Sequence, residues 1–224
     1  MSETQQKKSQ AEEEFHAVAD LPGELFFPTL RLRITNLVDR ITSGYRKWAG
    51  INFDDAINIY WGKANIAQLK GDYEEAVSIL RKLLRLEPKD PQVHYLSGLN
   101  FEKMGRYEEA IKCYQNTIKL QSDHPDAYLH LGMILSQSDS EKEAIPYLKR
   151  AIELNPHNGE AHFRLGMAYD KTKDYKDAVD SFQQAIKIDP WFAKAYKCLG
   201  FTYDTIGKHG ESVTCFKKAI ELEE

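Results

Sequence analysis

The stretch from Ala161 to Pro190, AHFRLGMAYDKTKDYKDAVDSFQQAIKIDP, decides how the rest of the chain is read, because its layout recurs at a fixed distance. Pro88, Pro156 and Pro190 close successive blocks on a grid of 34 residues, with Ser122 in the one slot that lacks proline. A constant period of this size marks stacked supersecondary units, each too small to bury its own apolar face alone. The stretch itself reads as two helices joined by a short turn, with no catalytic arrangement in it.

Blocks beginning at Ile57, Pro91, Pro125, Gly159 and Ala193 align position by position. Position 8 is small throughout (Ala64, Gly98, Gly132, Gly166, Gly200), and so is position 20 (Ala76, Ala110, Ala144, Ala178, Ser212). Position 24 is large and apolar (Leu80, Tyr114, Leu148, Phe182, Phe216), while position 27 is mostly small (Leu83, Thr117, Ala151, Ala185, Ala219). Small residues let two helix backbones approach, and the large ones fill the space between them.

This arrangement resembles the tetratricopeptide repeat family, in which Leu-Gly stands at positions 7 and 8, an aromatic near 11, Ala at 20, an aromatic or Leu at 24 and Pro at 32. The resemblance implies an all-α fold, a right-handed superhelical solenoid of helix-turn-helix repeats over 57–90, 91–124, 125–158, 159–192 and 193–224. Each unit of such an array contacts chiefly its neighbours, so length does not translate into a domain count.

The formal charge of -4, with acidic and basic residues interspersed along the repeats, gives no electrostatic footprint for nucleic acid. Cys113, Cys198 and Cys215 show no CxxC spacing and leave an odd thiol, which argues for a reducing compartment rather than a disulfide framework. No apolar run is long enough to cross a bilayer, and the N-terminus lacks the apolar core of a secretion signal. These features predict a cytoplasmic protein, with association at a membrane surface left open.

Residues 1–20 are rich in Gln, Glu, Lys and Ser and are expected to form a disordered tail. Residues 21–56 form an N-terminal segment that does not fit the repeat. In it, Leu25, Phe26 and Phe27 stand between two prolines as a dense apolar segment of the kind that contacts something. From Thr29 to Trp48, the residues Leu30, Ile34, Leu37, Ile41, Tyr45 and Trp48 recur at helical steps with arginines mainly off that stripe, which predicts a basic amphipathic helix, either a degenerate repeat or a docking helix. Asn52 or Asp54 is expected to cap the next helix, which runs to about Leu69. Between the paired helices, Asp72 with Glu75 and Ser140 with Glu143 predict capping boxes, and Asp90-Pro91 predicts a cap followed by proline at the first helical position. Pro146, inside the second helix of the third block, marks a candidate weak joint.

In the tetratricopeptide family the first helices line a concave groove. Carrying positions 5 and 9 across gives Trp61 and Asn65, Tyr95 and Leu99, Leu129 and Met133, Phe163 and Met167, and Lys197 and Phe201. Each pair is one helical turn apart, and the resulting ladder suits an apolar peptide or an amphipathic helix, although the same residues could instead pack against neighbouring repeats. Members that bind chaperones carry a Lys and Asn clamp for a terminal carboxylate at such positions; here Trp61 replaces the first lysine and the rest is missing. No GxSxG, Walker loop or HExxH occurs, and His94, His124, His130, His157, His162 and His209 lack ligand spacing, so no catalytic residue, metal site or cofactor is assigned and a non-enzymatic role is expected.

More narrowly, Phe163-Arg164-Leu165-Gly166 with Tyr169-Asp170, then Ala178 to Phe182, Ile206 to Ser212 and Phe216 to Ala219, resemble the magnetosome-associated tetratricopeptide proteins of magnetotactic bacteria. That resemblance implies a scaffold on the cytoplasmic face of the magnetosome membrane, self-assembling into a homo-oligomeric coat and recruiting magnetosome membrane proteins during biomineralisation, with the N-terminal segment as the self-association element. The alternatives are that residues 29–48 cap their own solenoid, that they anchor a peripheral membrane adaptor on anionic lipid, or that the chain is an adaptor unconnected with magnetosomes.

Overall fold

A computed structural model describes residues 53–138 and 140–223. The expectations for the tail, for Leu25 to Trp48 and for the Asn52 cap lie outside the described residues. Among those described there are ten α-helices: α1 (Phe53–Lys70), α2 (Tyr73–Leu86), α3 (Pro91–Lys103), α4 (Tyr107–Leu120), α5 (Pro125–Gln137), α6 (Glu141–Leu154), α7 (Gly159–Thr172), α8 (Tyr175–Ile188), α9 (Ala193–Thr205) and α10 (His209–Glu223). They fall into two compact units that meet between Met104 and Gly105. In the first, α2 packs against both α1 and α3; in the second, each helix from α4 to α10 packs on the next.

The alternation of small and large residues sets this packing. In the second unit a Cβ placed on Gly132 would lie 2.7 Å from Leu148, one on Gly166 2.7 Å from the Phe182 ring and one on Gly200 2.8 Å from the Phe216 ring. A glycine on the first helix of each pair therefore takes the large side chain of the second helix against its backbone. Repeat one uses the milder version, with Ala64 and Leu80 both buried in one cluster. Ala144, Ala151, Ala178 and Ala185 are fully or nearly buried along the same seams.

The turn within each pair has its own chemistry. Gly71, Gly105 and Gly207 sit at φ 78°, 72° and 77°, the left-handed conformation that ends a helix at little cost only for glycine. Lys173 occupies the equivalent place in the fourth repeat at φ 68°. The second helices then start on caps of varying quality. Asp72 accepts a bond from the Glu75 amide at 3.0 Å, but its own amide is bonded to the Ala67 carbonyl, so only half of the expected box forms. The box expected at Ser140 does not form: its hydroxyl turns back to the Ser138 carbonyl at 3.4 Å, and the Glu143 amide bonds the Ser140 carbonyl at 3.0 Å. Asp90 caps α3 through the Gln92 amide at 2.8 Å, with Pro91 at the first helical position. Pro146 lies six residues into α6 without interrupting it.

Candidate functional site

The faces to be weighed are those carried by the first helices of the pairs. In the first unit these are α1 and α3. Trp61 is half-buried against the cluster of Tyr60, Ala64 and Leu80, Asn65 is exposed one turn later, and Tyr95 and Leu99 on α3 are half-buried.

In the second unit the first helices are α5, α7 and α9. Leu129 and Phe163 are buried; the Phe163 ring lies 4.8 Å from Phe192 and 5.9 Å from Phe182, so it forms the floor rather than the wall of any binding surface. Met133 and Met167 are half-buried and present part of their thioethers. Lys197 is exposed, and so is Phe201, held edge-on against Phe216 at 4.9 Å. The structure thus brings Met133, Met167 and Phe201 to equivalent places on three neighbouring helices. These are adaptable apolar side chains with solvent access.

A polar frame surrounds them that the ladder of positions 5 and 9 omitted. On α7, Glu160 and Arg164 pair at 2.6 Å. Lys171 reaches Glu141 at 2.5 Å and donates to the Ser136 carbonyl at 3.1 Å, tying α7 to the end of α5 and the start of α6. Asp170 accepts from the Thr202 hydroxyl at 2.7 Å, which ties α7 to α9. The Lys171 ammonium holds the Glu141 carboxyl below the usual carboxylate range. The Glu160–Arg164 pair was available as a spacing of four on one helix, whereas the Lys171 and Asp170 bonds cross between repeats and follow only from packing.

Among the described residues the three thiols are not poised for chemistry. Burial pushes the Cys113 thiol up to about 11, and burial followed by neighbouring carboxylates raises those of Cys198 and Cys215, so all three stay protonated near neutrality and behave as small core residues. A shallow depression of about 370 Å³ between α6, α7 and α8, lined by Lys149, Glu153, Tyr169 and Asp177 among others, is open to solvent and lacks a nucleophile paired with a base. Among the described residues no cluster of His, Cys, Asp and Glu could hold a metal ion, and no helix is long and apolar enough to cross a membrane.

Helix pairs with small-to-large seams and an accessible first-helix face define a repeat protein of the protein-interaction class, and the chain belongs to the tetratricopeptide repeat family. Tetratricopeptide repeat models match residues 125–158, 159–192 and 193–224, a TPR repeat model matches 100–139, and the model of anaphase-promoting complex, cyclosome, subunit 3 matches 46–117. Within the family the chain resembles MamA. A crystal structure of MamA is 30% identical with TM-score 0.69, over 71% of this chain and 94% of that one. MamA from Desulfovibrio magneticus RS-1, residues 41 to the end, is 28% identical with TM-score 0.72, over 75% and 96%. YrrB, described as a TPR protein with an unusual peptide-binding site, is 26% identical with TM-score 0.67, over 78% and 93%. No curated protein matches the chain in sequence.

Proposed function

We propose that the chain is a self-assembling scaffold that recruits partner proteins through its first-helix face, acting as a coat on the cytoplasmic side of the magnetosome membrane. The observation that carries this reading is the 30% identity with MamA across 94% of that protein. The accessible apolar rungs Met133, Met167 and Phe201 supply the means. Flexible thioethers beside an aromatic accept an apolar helix without demanding one shape, and the frame of Glu160, Arg164 and Lys171 gives register. The N-terminal segment, with Leu25, Phe26 and Phe27 and the stripe from Leu30 to Trp48, is the ligand that one copy offers another.

The test is the mass of the full chain by light scattering over a range of salt, beside a chain starting at Ile51 and a full chain carrying Met133→Glu and Met167→Glu. Large assemblies should become smaller on truncation and on substitution of the rungs. Assemblies unchanged by both would overturn the reading that the N-terminal segment enters this face.

A further inference from the structure

Two apolar faces remain uncovered among the described residues. The first is on α1, where Ile59 and Ile66 are 57% and 53% exposed. The residues in the place of Ile59 in the following four repeats, Val93, Ala127, Ala161 and Ala195, are all 0% exposed, because the second helix of the preceding repeat lies over them. The second face is on repeat five, where Val213 and Ile220 of α10 are 52% and 59% exposed and Phe201 of α9 is 57% exposed. Their counterparts in repeat four, Val179, Ile186 and Met167, share a cluster with Ala195, Leu199 and Tyr203 of the next repeat's first helix. In repeat three, Ile145 and Ile152 likewise join Ala161 and Leu165 of α7.

Repeat five therefore presents the surface that repeats three and four use to seat a first helix, and α1 is a first helix whose seat-facing side is bare among the described residues. We infer that copies of this chain stack end to end, α1 of one copy seated on α9 and α10 of the next, so that the junction reproduces the internal contact between repeats. Val93, one methylene smaller than Ile59, fills this place over repeat one, and Ala161 and Ala195 fill it over repeats three and four. Lys63 is the charged residue within the α1 stripe, in the place of the buried Ser97, Leu131, Leu165 and Leu199, and seating it lays its stem along apolar surface with the ammonium at the rim. A contact between two different faces is heterologous and need not close, so it propagates as an open chain of molecules. This goes beyond insertion of the N-terminal segment into the first-helix face and does not depend on it.

The full chain carrying Ile41→Asp and Tyr45→Asp, which disable the N-terminal stripe, isolates the end contact. Its mass by light scattering is expected to rise with concentration through dimers to longer species. Adding Ile59→Glu or Val213→Lys should each leave monomers, with association weakened at least about tenfold by the buried, uncompensated charge. An equimolar mixture of the two variants should associate again and stop at dimers, since each retains one intact face and the outer ends are blocked. Should circular dichroism show that either substitution costs helix, Ile66→Glu or Ile220→Lys replaces it on the same face. A monomeric background at all concentrations, masses indifferent to the end substitutions, or a mixture that stays monomeric would each overturn the inference. Sensitivity to Val213→Lys without sensitivity to Ile59→Glu would overturn it too, and would assign the repeat-five face to another occupant.

Discussion

Lys173 is held at φ 68° at the turn between α7 and α8, where the first, second and fifth repeats have glycine. A side chain in the left-handed region costs roughly 1–2 kcal/mol, against about 0.5–1 kcal/mol of extra entropy lost when glycine is ordered. Lys173→Gly is therefore expected to stabilise the chain by about 0.5–1 kcal/mol, read as a rise in Tm; a fall would mean that the lysine makes a contact worth more than its strain. Glycine to alanine separates two environments by sign. At Gly166 the new methyl would meet the buried Phe182 ring at 2.7 Å, and ring and backbone must part, a cost of roughly 1–3 kcal/mol. At Gly62, inside α1, nothing lies within 4 Å, and the gain in helix propensity is about 0.5–1 kcal/mol. Equal Tm shifts for Gly166→Ala and Gly62→Ala would contradict the account of the seam.

Between elements, what joins repeat three to repeat four includes the Lys171 ammonium, which bonds Glu141 and the Ser136 carbonyl together. Because the Glu141 pKa is lowered on folding, its contribution is fully present above the ordinary glutamate pKa of about 4.3 and is lost as pH falls through the lower folded value. Glu141→Gln should cost roughly 0.5–1 kcal/mol at neutral pH, and the gap to the parent should close below about pH 4. A gap in Tm that persists unchanged to pH 3 would show that the loss is one of packing rather than charge. This tie was hidden in the sequence because its ends are thirty residues apart, whereas the caps are local and were partly legible. Asp72 and Asp90 bond the amides that their spacing predicted, while the Ser140 hydroxyl donates to the Ser138 carbonyl and accepts no amide of its helix.

At the scale of the molecule, the period and the small-to-large alternation made the fold legible, since they specify which backbones approach. The surface was less legible. Register gives the direction of a side chain at position 5 but not what its neighbours lay over it: Phe163 is buried, with Phe192 from the connection between repeats packed at a tilt against it, whereas Lys197 at the same position stays in water. Coverage also governs how the second unit comes apart. Helices α7 and α8 each have packed neighbours on both sides, whereas α10 packs chiefly on α9 with Val213 and Ile220 exposed. In a one-dimensional array the local opening free energy follows the number of interfaces broken, so α10 opens at lower cost than α7 or α8. Amide exchange on dilute, monomeric protein should therefore be at least about tenfold faster in α10 than in α7 and α8, equivalent to a gap of about 1.4 kcal/mol. Uniform protection from α4 to α10 would mean that the unit opens as one block and that nearest-neighbour reasoning fails here. If copies stack end to end, exchange in α10 slows as concentration rises while α7 and α8 hold steady, because the missing interface is then supplied by another molecule.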